Sequence, residues 1–262
     1  MVAWPGCRSR PHLAASTWRD RRVLIVFDSV TASPGTPAGA QLAFTGWEVR
    51  YADPVFDADT PTLFDFRVPQ GRGSRFVYVL PADGHRALVE LTAFVPGPAG
   101  PPPPAALAGY LHGGYEILRT ESAVVPLHTR PARRASGRVL RIGARAGLVK
   151  ASTGYGYQRI QRDSAAIAAS LARDGHPFAR PVPRRRYRLL DAVLLDVLRH
   201  EPVQLERAFA RLFLDQPAAR MLRFLDEDTG PGDELRLIAA LPPLPYLRAA
   251  TRQAWHRAGS ID

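Results

Sequence analysis

Residues 137–171, GRVLRIGARAGLVKASTGYGYQRIQRDSAAIAASL, decide how the rest of the chain is read. Val139, Arg141 and Gly143 alternate with Leu140 and Ile142 at the period of a strand, which ends at glycine. Gly147, Ser152, Thr153 and Gly154 mark an ordered loop. Beyond it Ile160, Ala165, Ile167, Ala168 and Leu171 supply an apolar stripe, and the small unbranched residues between them favour a helix. Glycine lets main-chain N–H groups approach a ligand closely, and a helix N-terminus carries partial positive charge. The unit therefore offers a berth for a phosphate, a carboxylate or an anionic ring. Strand, glycine loop and helix also occur as plain α/β packing, and the segment by itself leaves both readings open.

Working outward, residues 1–20 mix Pro, Gly, Arg and small residues without a period and read as an irregular leader. Arg22–Phe27, RVLIVF, closed by Asp28, reads as a buried parallel strand. Gln41–Tyr51 alternates, with Leu42, Phe44, Gly46, Glu48 and Arg50 on one face and Ala43, Thr45, Trp47, Val49 and Tyr51 on the other. Thr62–Val68, Arg75–Leu80 and Arg86–Phe94 follow as strands joined by turns at Gly71–Ser74 and Pro81–Gly84. In Thr62–Val68, Leu63, Asp65 and Arg67 share a face opposite Phe64, Phe66 and Val68. The run PGPAGPPPP, Pro96–Pro104, is too rich in proline for either regular structure. A helix with a Gly113–Gly114 interruption is expected at Ala105–Leu118, and a short strand at Ala123–Leu127. From Arg188 the period becomes helical, with Leu189, Leu190, Val193, Leu194, Val197 and Leu198 on one face. Further helices are expected at Gln204–Leu214, Pro217–Asp226, Asp233–Leu241 and Leu244–His256. The fold class is therefore α+β, with an α/β unit at its centre: a leader and first strand at 1–35, an antiparallel sheet at 36–136, the strand-loop-helix at 137–182 and a helical region at 183–262.

A chain of 262 residues with 46% hydrophobic residues buries a substantial core. The net charge of +11 is almost wholly arginine, since Lys150 is the only lysine, and attracts acidic partners such as an anionic membrane surface. Paired arginines at Arg133–Arg134 and the run Arg184–Arg186 come with no zinc finger, RNP motif or basic heptad, so nucleic acid is not an expected partner. The single Cys7 cannot form an internal disulfide, and no apolar run approaches the length of a membrane span. A cytoplasmic location, peripheral at the inner face of the membrane, is expected. His85, His112, His128 and His200 have no metal-ligand spacing, so no metal is expected. Leu241–Trp255 places Leu244, Leu247, Ala250 and Trp255 near one side and Arg248 and Arg252 near another, the pattern of an interfacial helix or of an ordinary core helix.

Residues 137–164 resemble the second flavin-contacting segment of the bacterial lycopene cyclases, which are similar in fold to FAD-dependent hydroxylases. QLAFTGWEVRYADPVFD (41–57), TLFDFRV (62–68), RFVYVLPADGHRALVELTAF (75–94), MLRFLDEDT (221–229) and LPYLRAA (244–250) resemble further motifs of that family, in its order. The resemblance spans roughly residues 40–250 and implies a truncated flavoprotein fold of the hydroxylase type. Two departures stand out. Asp28-Ser29-Val30-Thr31 replaces the family's Asp-Ser/Ala-Arg-Pro turn, and nothing upstream matches its G-x-G-x-x-G dinucleotide fingerprint.

The reaction the resemblance implies is the cyclisation of lycopene ends to β-ionone rings, without net redox change. Protonating an alkene needs a carboxyl kept neutral by desolvation, with aromatic faces and negative charge to steady the cation. By resemblance Glu48 in FTGWE is the expected proton donor or relay, with Phe44, Trp47, Phe66 and Glu227 toward the substrate and Asp65 and Arg67 assisting. On pattern alone Glu48 is equally a strand glutamate paired with Arg50 or Arg67, Asp65 with Arg67 is a solvated pair, and Glu227 belongs to a helix end. Gly143, Gly147, Ser152, Thr153, Gly154 and Tyr155 are the expected contacts to a reduced, non-redox FAD, with NAD(P)H as candidate reductant. Tyr155 and Tyr157 are either cation–π partners or ordinary packing. The alternatives are a truncated, inactive homologue or polyene-binding fragment, and a flavin-dependent hydroxylase. The oligomeric state is left open.

Overall fold

The computed structural model describes residues 12–18, 21–29, 40–71, 73–127, 133–179 and 185–258. Cys7, Val30, Thr31, His128 and Arg184 of the readings above lie outside the described residues. The fold is α+β.

The larger sheet is antiparallel and has five strands: β3 (Ala40–Tyr51), β4 (Thr62–Asp65), β5 (Ser74–Pro81), β6 (Arg86–Pro96) and β7 (Tyr115–Pro126), in the order β4-β5-β6-β3-β7. β5, β6 and β3 are its interior strands, and Val49, Val89 and Phe94 are fully buried. A smaller sheet holds β1 (His12–Trp18), β2 (Arg21–Asp28), β8 (Ala135–Ser136) and β9 (Val139–Arg141). There β2 runs parallel to β9, pairing Val26 with Val139 and Phe27 with Leu140, as expected; the expected burial is corrected, since Ile25 is buried but Leu24 is exposed and Val26 and Phe27 are half-buried. Part of the supposed irregular leader is a strand, β1, which pairs with β2 as a hairpin.

The expected helix at Ala105–Leu118 is corrected. Only α1 (Pro104–Ala108) is helical, and the chain from Tyr115 becomes the edge strand β7. Pro104 starts the helix at its first turn, and beyond the cap at Gly109 the chain turns through Gly113, at φ +79. Ile117, Thr120, Val124 and Val125 are β-branched, and pairing along the whole of β3 outweighs weak helical propensity.

From the central unit onward the helices agree with the sequence to within a few residues: α2 (Tyr157–Asp174), α3 (Arg185–His200), α4 (Val203–Leu214), α5 (Ala218–Leu225), α6 (Pro231–Ala239) and α7 (Pro243–Ala258). α2 stops at Gly175, whose left-handed backbone lets its N–H cap Leu171 O. Each face of the large sheet carries a core. Phe76, Phe94, Leu195, Leu198, Leu205 and Phe209 join one face to α3 and α4. Trp47, Val49, Val77, Val89, Leu91 and Leu107 fill the other beneath α1. Each such side chain contributes about 1.5–3 kcal/mol.

Candidate active site

Residues opposite one another in antiparallel strands project from the same face, so register assembles the site. Tyr78 of β5 pairs with Glu90 of β6, Glu90 with Gly46 of β3, and Gly46 with Glu121 of β7. These four form one rung. Gly46 has no side chain, and both carboxylates lean over it: a Cβ there would stand 3.2 Å from Glu121 Cγ and 3.4 Å from Glu90 Cγ. The glycine of FTGWE makes room for two acids from neighbouring strands.

Glu90 is 4% exposed. Thr92 Oγ1 donates to its Oε1 at 2.7 Å, and Tyr78 also hydrogen-bonds it. Burial pushes its carboxyl up to about 7, with the negative charge of Glu121 adding to the rise, while the two hydroxyls pull the other way. Burial, reinforced by the Glu90 charge, also raises the Tyr78 phenol, which therefore remains a donor. Glu90 was missed in the sequence. The signal was there: Leu88, Glu90, Thr92 and Phe94 share one face of a strand otherwise almost entirely apolar, where an unpaired carboxylate is costly.

Glu48 lies on the same face, one rung away, between Leu88 and Arg119. The expected dry acid is corrected: its side chain is 25% exposed and pairs with Arg86 and, at 3.4 Å, with Arg119. The Arg86 guanidinium, then that of Arg119, holds Glu48 below the usual carboxylate range despite partial burial. Arg119 also pairs with Glu121 at 2.6 Å, so charged groups run from the half-exposed Glu48 to the Glu90 rung.

The other expected neighbours divide between the two faces. Phe44 pairs with Thr92 on the rung beside Glu90. Trp47 pairs with Val89 on the opposite face and packs against Tyr115, because the irregularity in β3 falls between Glu48 and Val49 and not at Gly46. A register shift in β4 turns Asp65 toward Val77, on the face away from Glu48. Asp65 accepts two bonds from the Arg67 side chain, at 2.9 and 2.8 Å, and one from Tyr110 Oη at 3.0 Å. Arg67 chiefly, against the opposing effect of burial, holds Asp65 down at about 2, so it is an ionised anchor for α1's neighbourhood and does not orient Glu48. Phe66 stays on the Glu90 face, against Phe76 and Phe209.

The loop of the central unit packs on this same face. Gly154, at φ +73, sits so close to Leu42 of β3 that a Cβ would overlap the leucine Cδ2. Thr153 and Gly154 both donate their N–H groups to Lys150 O, and Tyr155 donates to Thr153 Oγ1. Ser152 Oγ turns inward to Asp191 Oδ1 at 2.6 Å. Tyr155 is bonded to Asp226, and its phenol is raised chiefly by burial. These residues therefore do not fit a direct flavin contact: their donors are engaged and the Gly154 surface is filled by protein. Gly143 does fit, since its Cβ direction is open at φ +58, and Gly147 ends the same turn in left-handed backbone. The first turn of α2 also carries no acidic residue to compete for an anion.

Glu227, expected toward the substrate, instead joins a buried charge cluster behind the loop. It pairs with Arg159 and lies 3.5 Å from Lys150 Nζ, which is 2.8 Å from Asp191 and stands over the rings of Tyr187 and Phe224. Lys150 is 1% exposed. Among the described residues no three His, Cys, Asp or Glu side chains gather as a metal site, and no helix is long and apolar enough to cross a membrane.

Comparison with known proteins adds the following. The family described as lycopene cyclase protein matches residues 15–251. No curated protein matches the chain. A solved geranylgeranyl bacteriochlorophyll reductase-like protein from Thermoplasma acidophilum is similar at 13% identity and a TM-score of 0.47, over 80% of this chain and 54% of that one. The chain thus spans about half the length of that structure.

Proposed function

The chain belongs to the lycopene cyclase family, and from that premise we propose that it closes the ends of lycopene to β-ionone rings by acid catalysis, with Glu90 as the proton donor. The observation that carries this reading is a buried carboxyl poised near neutral pH in a hydroxyl and aromatic setting. Glu90 gives its proton to the terminal carbon–carbon double bond. The neighbouring double bond then supplies the electron pair for the ring-closing bond and leaves a tertiary cation. Loss of a ring proton to a carboxylate of the same rung restores the alkene, so atoms and electrons balance with no oxidant. Phe44 and Phe76 on the adjacent rung offer ring faces to the cation, and the Phe64, Phe209 and Phe213 cluster provides an apolar surround for the polyene. Glu121 is the proposed group through which protons return to Glu90, while Arg119, which stays charged, bridges Glu121 to the half-exposed Glu48 and holds both carboxylates in place.

A reduced flavin, when bound, would supply negative charge without net electron transfer. The open Gly143 turn and the first-turn N–H groups of α2 are the residues we assign to hold it, with NAD(P)H as its reductant. Expression in cells that accumulate lycopene tests the reading. The wild-type chain should convert red pigment to β-carotene, Glu90→Gln should form none, and Glu48→Gln should form it more slowly. Equal conversion by Glu90→Gln refutes the assignment. NAD(P)H consumed in proportion to product would indicate a hydroxylase instead, and polyene retention without product would indicate a binding protein.

A further inference from the structure

The rung that holds Glu90 carries a second carboxylate, Glu121, and the rungs on either side of it differ in charge. Phe76, Thr92, Phe44 and Ala123 form one of them, with no charged group among the four. Leu80, Leu88, Glu48 and Arg119 form the other, which ends in a guanidinium. A carbocation is steadied by aromatic faces and repelled by a fixed positive charge, so the reacting ring belongs on the Phe44 side. Arg119 reaches the carboxylate rung from the opposite side, where its Nη1 donates to Glu121 Oε2 at 2.6 Å. The other oxygen, Oε1, lies over Gly46, 3.4 Å from where a Cβ would stand.

The backbone gives no reason for glycine at position 46. It lies outside the left-handed region, and glycine in the interior of a strand weakens it. Neighbouring strands stand about 4.8 Å apart, so Glu90 and Glu121 rise from strands roughly 10 Å apart with β3 between them. A side chain at position 46 would wall one carboxyl off from the other. Its absence leaves an opening in which a Cβ would press on both, at 3.4 Å from Glu90 Cγ and 3.2 Å from Glu121 Cγ. Two acids that face each other across such an opening can pass a proton without releasing it to bulk water.

We propose, resting on the cyclase reading, that Glu121 is the base that removes the ring proton, and that the same proton crosses the Gly46 opening to recharge Glu90. The electron pair of a C–H bond beside the cation becomes the ring double bond, and its proton goes to Glu121 Oε1. Glu121 then passes that proton to Glu90, which gave its own to the alkene. Both carboxyls end as they began, and solvent neither supplies nor removes a proton. The position of Glu121 decides which C–H bond beside the cation breaks, and so where the ring double bond lies.

The test uses lycopene deuterated at the carbon that both forms the ring bond and loses its proton, turned over by the full chain in ordinary water. In the wild type part of the deuterium should reappear in the product at the carbon that Glu90 protonates. Gly46→Ala, whose Cβ meets only flexible side chains, should keep the wild-type circular dichroism but lose the label to water. Glu121→Gln should lower kcat about a hundredfold and move the double bond in the residual rings. A second measurement needs no substrate. The infrared carbonyl band of protonated Glu90, assigned by its loss in Glu90→Gln, should titrate at lower pH in Glu121→Gln, and Gly46→Ala should shrink that displacement. Label lost wholly to water by the wild type, or wild-type rate and ring type in Glu121→Gln, would overturn the proposal. Product formed while Glu121→Gln leaves the Glu90 band unmoved would overturn the acid–base couple and spare the cyclase reading. No product from the wild type would overturn that reading, and the base assignment with it.

Discussion

Glu90→Gln should change how stability depends on pH more than it changes stability at any one pH. In the unfolded chain a glutamate titrates near 4.5, and in the folded chain burial raises Glu90 to about 7. Below about pH 4.5 the group is protonated in both states. Between there and about 7 the unfolded chain releases the proton while the native chain keeps it, so native stability falls as pH rises. Through that window the loss sums to about 3 kcal/mol and is complete above about pH 7.5. Glutamine keeps the size and the hydrogen bonding of the acid but does not titrate. Urea unfolding of both proteins, followed by tryptophan fluorescence at about pH 5 and about pH 8, isolates the residue, because titrations common to both cancel in the difference. The variant should gain about 2.5 kcal/mol relative to wild type between the two pH values. Glu121→Gln removes the negative charge across Gly46 and should narrow the window from its upper end. If wild type and Glu90→Gln lose or gain stability in parallel from pH 5 to 8, Glu90 is not held protonated near neutrality, and the proposed proton donor goes with it. The cyclisation rate should also fall as pH rises through about 7, since the acid must carry its proton.

Gly154→Ala should cost about 1–3 kcal/mol by thermal unfolding. Leu42→Ala should recover only the steric part of that loss, because the φ of +73 is strained for alanine however much room there is. Lys150→Met leaves Asp191 and Glu227 with Arg159 as their remaining cation, and should destabilise by about 3–5 kcal/mol in the same assay. An effect below about 1 kcal/mol would show that the lysine is dispensable to that cluster. Asp65→Asn should lower stability above about pH 4 by about 1–2 kcal/mol, a modest figure because Arg67 is largely exposed. Asp65's contribution is present above pH 3.8 and is lost as pH falls through about 2, so the two proteins should converge in acid. The pH profile of any cyclase activity should be the same in both, and a shifted profile would return Asp65 to the reaction site.

Family membership was legible because six collinear motifs stand in the sequence whatever the details of packing. Strands β2, β3, β5 and β6 and helices α3 to α7 were legible because alternation and helical periodicity are local properties of the chain. The end of β7 was legible as the strand expected at Ala123–Leu127, but its beginning, expected as helix through Leu118, was not, since that part is a strand through pairing with β3 and propensity by itself favoured neither state strongly. Alternation put Asp65 opposite Phe64 and Phe66, as the structure has it, but which of those two faces meets Glu48 depends on how β4 pairs with β5 and was not legible.

The choice of acid shows the same division. Sequence alone determined that carboxylates, aromatic residues and a glycine occupy a sheet, and Glu48 stood out because its motif is conspicuous. Only the tertiary structure decided which carboxyl stays dry. Protonation near neutral pH follows from the distance to water and to other charges, and those distances are set by strand register and by the helices that cover the sheet. Glu48 ends beside two arginines at a half-open edge, while Glu90 ends under the core, opposite a glycine and within reach of Glu121.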